Sequence, residues 1–289
     1  MGRETSTIQL KHFKTLALCL PVLIIDVLFL LFPFFYGLYL SFTSSLNNPT
    51  LTLGNYAYII SVYASIMLTT VELAALITVI LVAISLPIAY ILAIKVKSDA
   101  IKNLVLLVAL APFWIDWNIR MIAWYPVFGA NGFLSSIYLW ILKGLGYSNV
   151  EPVSLLFTNA SVIITWIQSL LLFMVVPIYL MMLRMDPIVL KAASTLRAST
   201  LKTFYHITLK WSLPGILIGS VFVFSLAMVD YATPLLVGGG LPTIGVIIWQ
   251  LGSYYDWTKA MALSTLVLAV ILVVVAITLR RVSITRILY

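Results

Sequence analysis

Asp116 lies in a strongly apolar stretch of the sequence and has aromatic neighbours on both sides. The run is PFWIDW, in which Trp114 and Trp117 flank the carboxylate and Pro112 disrupts a helix. A carboxylate between aromatic faces can hold an ammonium group through an ion pair and cation–π attraction. The spacing therefore indicates a cation site. Two alternatives stay open: an ion pair with Arg120 one helical turn later, and indoles that anchor the chain at a membrane interface.

Asp230 is a second carboxylate in an apolar stretch, and Tyr231 follows it directly. Pro234 frees backbone carbonyls that can line a cavity. We expect the Asp230 carboxylate to face a polar pathway, with Tyr231 in the aromatic wall; a hydrogen bond between two helices is the alternative. Glu72 and Asp26 are single carboxylates in other apolar stretches. For these two we expect packing contacts or interfacial positions rather than ligand binding.

The composition identifies the solvent around these carboxylates. Of the 289 residues, 63% are hydrophobic and only 9% are charged, and the mean hydropathy is +1.13. Soluble domains carry about 25% charged residues, and a core of this size cannot hide so much apolar surface from water. The sequence therefore predicts an all-α membrane protein. It excludes a soluble enzyme, a secreted disulfide scaffold and a disordered chain.

Six stretches of the chain are suited to crossing a membrane. A helix needs about 20 mainly apolar residues to cross the hydrocarbon core, and each stretch meets or nearly meets that length. The predicted transmembrane helices cover about residues 16–42, 65–94, 103–125, 155–183, 212–237 and 260–279. A short helix at the membrane interface is predicted over residues 133–140.

The basic residues indicate the orientation of these helices. Most of the 17 Lys and Arg residues fall in the two termini and in the segments after the second and fourth stretches. Cytoplasmic loops carry such an excess, so the N and C termini are both predicted to be cytoplasmic. The net charge of +8 then marks a cytoplasmic face, and no nucleic acid is expected. The predicted domains are a cytoplasmic tail at 1–15, a single transmembrane domain at 16–279 and a second tail at 280–289.

The segment at 184–211 carries a helix signal of its own. Asp186 followed by Pro187 is typical of a helix start, because the carboxylate accepts free amides and proline fits the first turn. An apolar stripe at helical spacing follows, formed by Val189, Ala192, Ala193 and Leu196. Such a face favours docking into a groove of another protein. A helix lying on lipid headgroups is the alternative.

This segment resembles the coupling loop of the permease subunits of bacterial binding-protein-dependent ABC importers. Their pattern is Glu-Ala-Ala, three residues, Gly-Ala, then an aromatic residue, Ile and Pro-Gly. The residues in register with it are Ala192, Ala193, Ala198, Phe204, Ile207, Pro214 and Gly215. Lys191 replaces the usual Glu and Arg197 the usual Gly. These departures predict a changed bend in the loop and an acidic residue on the ATPase opposite Lys191.

Three further motifs, in the same order, resemble the spermidine/putrescine branch of that family. The first is PIAY at 87–90, and the second is PFW at 112–114, with Arg120 and Trp124 behind it and an Asn-Gly pair at 131–132. The third is DYATPLLVGG at 230–239. The resemblance covers about residues 60–275.

The resemblance implies a type I ABC importer permease fold in the inner (cytoplasmic) membrane. The chain is then the pathway subunit for a small polar, cationic solute of polyamine type. The implied partners are an ATPase dimer, a second permease of a different chain, an extracytoplasmic solute-binding protein and membrane lipid. The residues implied in ATPase coupling are Lys191, Ala192, Ala193, Leu196, Arg197, Ala198 and Phe204.

No phosphate-binding Gly-x-x-x-x-Gly-Lys motif occurs in the chain. We therefore expect ATP hydrolysis in a partner and no catalytic residues in this chain. His12, His206 and Cys19 are the only His and Cys residues, so no metal or cofactor is predicted. The alternative function is an ion-gradient-driven secondary transporter that works without an ATPase.

Overall fold

The computed structural model describes residues 20–22, 24–47, 49–147 and 150–281. Regular structure in these ranges is helical, apart from an isolated β-bridge between Thr43 and Leu51. The helices are α1 (Leu20–Ser41), α2 (Gly54–Tyr90), α3 (Asp99–Leu110), α4 (Trp117–Ile122), α5 (Tyr125–Phe128), α6 (Phe133–Gly144), α7 (Asn159–Leu183), α8 (Pro187–Thr195), α9 (Thr200–Thr203), α10 (Leu209–Val229), α11 (Ile244–Ser253) and α12 (Trp257–Arg281). The predicted tail at 1–15 lies outside the described residues, as does nearly all of the tail at 280–289.

Five helical stretches in the described part of the chain are long and apolar enough to cross a membrane. They are Leu20–Ser41, Gly54–Lys95, Asn159–Leu183, Thr200–Val229 and Trp257–Arg280. A sixth crossing exists if a bent pair counts as one, since Asp99–Trp114 and Trp117–Gly144 meet at 98°. The predicted all-α membrane class is confirmed. The short helix expected at 133–140 is present as α6.

The third predicted span, over 103–125, is bent where the sequence places its interruptions, at Pro112 and Asp116. Pro112 has no backbone N–H to donate to the preceding turn, and the helix tightens into a 3-10 turn at Ala111–Trp114. Ile115 is extended, with φ −97° and ψ 137°. Asp116 then precedes a new helix, α4, which runs in a different direction.

The described residues up to Val62 form one compact unit together with Leu251–Leu266. Within it, the side-chain amide of Asn55 donates hydrogen bonds to the carbonyl oxygens of Ser41 and Thr43, at 3.2 and 2.9 Å. Asn55 is buried, so these bonds satisfy a side chain that water does not reach. They tie the first turn of α2 to the end of α1.

Tyr63–Gln250 and the described residues from Val267 onward form the second compact unit. Much of its core lies where α7 packs on α10, and the two backbones approach closely at Gly215 and Gly219. The large buried side chains of this core are Trp166, Leu170, Met174, Ile178, Val223 and Met228. Close packing through small residues is a usual way for membrane helices to associate.

Candidate functional site

The carboxylate of Asp230 joins three segments of the second unit. Its Oδ2 accepts a hydrogen bond from the indole Nε1 of Trp166 at 2.7 Å, and its Oδ1 accepts one from the indole of Trp117 at 3.2 Å. Oδ1 also accepts the backbone amides of Ala232 and Thr233, at 3.0 and 3.4 Å. These donors stabilise the negative charge without a cation, because hydrogen bonds to an ionised acceptor are strong.

The local backbone explains why Asp230 occupies this place. α10 ends at Val229, and Asp230 leaves the helical conformation with φ −66° and ψ 120°. A π-helical turn follows at Thr233–Val237, and the carboxylate accepts amides at the start of this turn in the manner of a helix cap. Trp166 of α7 is fully buried, so its indole N–H requires an acceptor. The structure therefore contains the hydrogen bond between helices that the sequence analysis gave as the alternative role of Asp230. A contact between Asp230 and the substrate stays a prediction.

Asp116 serves as the cap of α4. Its Oδ1 accepts the backbone amides of Asn118 and Ile119 at 2.9 and 3.4 Å. The side chains of Asp116 and Trp114 are exposed, Trp114 to 82%. Asp116 and Arg120 form no salt bridge among the described residues, although the Asp116 charge still acts electrostatically on the Arg120 guanidinium.

Arg120 lies between two aromatic rings instead. Its guanidinium carbon is 4.8 Å from the ring centre of Trp117 and 5.0 Å from that of Phe113. Both contacts are cation–π interactions, and they occupy the Trp117 ring that we expected to hold an external ammonium. The sequence carried a signal for this contact, because Arg120 follows Trp117 by three residues and shares its helix face.

Tyr231 has an aromatic partner of its own. Its ring stacks on Trp249 of α11, with centres 6.3 Å apart and 4° between the planes. Part of the side chain remains exposed. Among the predicted pathway residues, the structure thus brings Trp117 and Asp230 into direct contact and places Tyr231 against a different segment.

Glu72 and Asp26 are the two other carboxylates that the sequence places in long apolar stretches. Both side chains are exposed, and neither forms a hydrogen bond or salt bridge with a described residue. The expectation of a packing contact or an interfacial position therefore stays a prediction for both residues. Within the described part of the chain, no group of three or more His, Cys, Asp or Glu side chains could hold a metal ion.

The segment after α7 begins as the sequence predicts. The backbone amide of Ile188 donates to the Asp186 carboxylate at 2.8 Å, which confirms the helix start. The predicted apolar stripe is divided, since Ala193 is only 7% exposed whereas Leu196 is 82% exposed. Lys191 is exposed as well. A partner protein can therefore reach Leu196, whereas Ala193 is buried.

A shallow groove of about 460 Å³ runs beside α8. Among its lining residues are Val189, Ala192, Leu196, Ala198, His206 and Ile207. Phe204 lies at the start of the neighbouring π-helical turn. Its ring meets that of Tyr90 edge-on, with the ring centres 5.6 Å apart. This contact connects the segment to the C-terminal end of α2.

The chain is similar in sequence to curated transport proteins over most of its length. It is 31% identical over 237 residues to the spermidine/putrescine transport system permease protein PotB of Salmonella typhimurium (strain SL1344), which covers 80% of each chain. The identity to PotB of Escherichia coli (strain K12) is also 31%, over 80% of this chain and 84% of the relative. The chain belongs to the PotB-type permease subunits of ABC importers.

This permease also shares its fold with a solved importer. Its TM-score is 0.77 against a chain of the bacterial ABC transporter involved in the import of the acidic polysaccharide alginate, at 18% identity and covering 97% of this chain and 99% of that one. The inner membrane ABC transporter permease protein YdcU of Escherichia coli (strain K12) is 26% identical over 223 residues, or 72% of this chain and 68% of the relative. No protein-family model matches the chain.

Family membership decides several of the predictions. The permease is a multi-pass inner-membrane protein and the pathway subunit of an ABC importer, as predicted. ATP hydrolysis belongs to a separate subunit, so this chain is not the ATPase. The alternative of a secondary transporter without an ATPase is therefore wrong. The cytoplasmic placement of the termini and the single-domain boundaries stay predictions.

Arg197 adopts the backbone conformation for which the permease family uses glycine. Its φ is 55°, in the left-handed region, and the amide of Ala198 donates back to the carbonyl oxygen of Ala193 at 3.0 Å. This is the Schellman pattern that ends many helices, and glycine favours its left-handed position. The loop therefore turns with a strained arginine in the left-handed conformation that favours glycine, and the changed bend of the loop stays a prediction.

Arg197→Gly is expected to stabilise this permease by up to about 1 kcal/mol. A left-handed residue with a side chain costs roughly 1–2 kcal/mol, and the greater freedom of glycine in the unfolded chain offsets part of the gain. Thermal unfolding of the purified protein measures the change. Lys202→Gly in α9 is the control, and it should lower stability by about 1 kcal/mol because that residue is helical. If the two variants change the unfolding temperature in the same direction, the backbone at Arg197 is not strained.

Proposed function

We propose that this permease carries a small cationic solute of polyamine type across the inner membrane. The observation that supports this most is the 31% identity to PotB over 80% of both chains. Its solved structural relative is a transporter involved in the import of an acidic polysaccharide, so the fold itself gives no preference for cations. The preference has to come from side chains along the pathway.

We propose that the pathway residues divide into two groups. Trp114, Asp116 and Tyr231 keep exposed surface and are available to a passing cation through a carboxylate and aromatic faces. Trp117 and Asp230 are occupied with each other. Their role is to hold the bend before α4 and the end of α10 in position beside the pathway.

We also propose that the segment at 184–211 couples this permease to its ATPase. The exposed Leu196 and the adjoining groove form the apolar contact, and Lys191 and Arg197 at its edge meet acidic residues of the ATPase. Ala193 and Ala198 support the turn from within. Phe204 passes movement to α2 through its contact with Tyr90.

Transport then follows from movement at this contact. ATP binding closes two ATPase subunits, and the coupling segments of this permease and of a second, companion permease move with them. The transmembrane helices rock between outward and inward openings around the cargo. An extracytoplasmic solute-binding protein delivers the cargo from outside. Both termini of the chain lie in the cytoplasm, on the side of the basic residues.

The test is uptake by the importer assembled from this permease, its companion, the ATPase and the binding protein. The wild-type complex is expected to take up labelled spermidine or putrescine only with ATP. Leu196→Asp should lower uptake and co-purification of the ATPase about tenfold or more. The substitution removes the apolar side chain at the centre of the proposed contact and places a charge there, and such central residues supply most of the binding energy.

Thr200→Asp is the matched control for Leu196→Asp. Thr200 is exposed and begins α9, where a negative charge is favourable, so ATPase association should be retained. Equal association of the ATPase with Leu196→Asp and wild type refutes the coupling contact. Absence of uptake of both amines by an intact wild-type complex refutes the cargo.

A further inference from the structure

Glu72 is a charged side chain on an exposed face of a membrane-spanning helix. The helical stretch Gly54–Lys95 is 42 residues long with a hydropathy of 2.7, and Glu72 is its only acidic residue. The predicted span covers 65–94, so Glu72 lies about 11 Å along the helix axis from its centre. The hydrocarbon core extends about 15 Å to each side of its own centre. Glu72 is therefore expected within the depth of the lipid tails.

The two faces of α2 have different surroundings. Thr70, Ala74, Ile77 and Leu81 are buried, and the Thr70 hydroxyl accepts the backbone amide of Ile244 at 3.1 Å. Glu72 is two residues after Thr70, which places it on the opposite side of the helix. Leu68 and Leu76, one turn before and after it, are exposed.

Contact with lipid tails is energetically unfavourable for the face of α2 that carries Glu72. A carboxylate in the bilayer core costs about 2.5–3.5 kcal/mol on insertion scales. No described residue of the permease offers Glu72 a hydrogen bond or a positive charge. A partner outside the described residues would remove this cost in the assembled importer.

Two hydroxyl side chains lie on the same face of α2 as the Glu72 carboxylate, and together the three side chains form a row of hydrogen-bond acceptors. Ser65 and Thr69 are exposed and precede Glu72 by seven and three residues, which places them one above the other on a helix. The Thr69 hydroxyl donates to the carbonyl oxygen of Ser65 at 2.8 Å, and a hydroxyl oxygen that donates one hydrogen bond can still accept another. Neighbours at this spacing are about 5–6 Å apart. A linear polyamine has successive ammonium groups joined by short methylene chains of similar length.

We propose that Glu72 is an ammonium-binding residue of the translocation pathway, with Thr69 as an additional oxygen acceptor. This proposal rests on the proposed cationic cargo. A row of oxygens suits a ligand with several N–H donors, whereas an ion pair with a single basic residue of the companion permease requires the carboxylate alone. The face of α2 at Glu72 then borders the pathway between the two permeases.

The test uses the complete importer with labelled spermidine at a concentration below saturation. Glu72→Gln is expected to lower uptake roughly tenfold through a higher KM, while the complex is recovered intact and its ATPase remains active. Glu72→Asp keeps the charge and should retain most of the uptake. Glu151→Gln makes the same change in an exposed loop and should leave uptake unchanged.

Each other outcome is decisive. Uptake by Glu72→Gln equal to that of wild type overturns the pathway role. Loss of the companion permease from the purified Glu72→Gln complex also overturns it, because Glu72 then pairs with that subunit. If the wild-type importer transports spermidine and Glu72→Gln transports it equally well, the role of Glu72 is refuted and the proposed cargo stands. If the wild-type importer transports neither spermidine nor putrescine, both proposals are refuted.

Discussion

Gly215→Ala is expected to destabilise the permease by about 3 kcal/mol and to reduce its amount in the membrane sharply. A Cβ at this position would lie 2.5 Å from the carbonyl oxygen of Pro177 and 2.8 Å from the Cα of Ile178. Both are backbone atoms of α7, so no side-chain rotation can relieve the contact. One methyl group therefore forces α7 and α10 apart along the core of the second unit.

Thermal unfolding of the purified complex, together with quantification of the membrane-inserted protein, measures this effect. Gly144→Ala at the end of α6 is the matched control, because a Cβ there meets nothing within 4 Å. Alanine in that helical position should be neutral or stabilising by about 0.5–1 kcal/mol. Similar stability of the two variants would show that the approach at Gly215 tolerates a methyl group.

Asp230→Asn is expected to destabilise the permease by about 2 kcal/mol and to lower transport with it. The amide that replaces Oδ2 turns an N–H toward the indole N–H of Trp166, which is fully buried. Turning the amide over instead places its N–H toward Trp117 and the backbone amide of Ala232. Either orientation leaves buried donors without an acceptor.

Trp166→Phe separates the structural role of Asp230 from a substrate contact. This variant removes one donor but keeps the carboxylate, so a structural role predicts lower stability and lower uptake in both variants. Asp116→Asn is the matched acid-to-amide control for stability, since asparagine caps a helix about as well as aspartate. An Asp230→Asn variant with wild-type stability and no uptake would show that the carboxylate contacts the cargo.

The sequence alone was sufficient for the features that depend on one continuous segment. The solvent, the helical class and the approximate spans follow from composition and from apolar length, because each helix must satisfy its own backbone in lipid. The start of α8 could be read from Asp186 and Pro187, since capping involves residues two positions apart. The family motif around Ala192 and Phe204 is likewise local, and the similarity to PotB confirmed the family membership that it implied.

The roles of individual charged and small residues required the tertiary structure. Asp230 is hydrogen-bonded to indoles 64 and 113 residues away, and no local pattern indicates which distant donor will meet it. Gly215 is critical because a backbone from another helix passes over it. Thr70 and Glu72 are two residues apart on the same helix, and only the packing of that helix shows that Thr70 is buried and Glu72 is exposed. The sequence determines which residues share a helix, but the packing of helices decides which side chains find partners and which remain available for cargo.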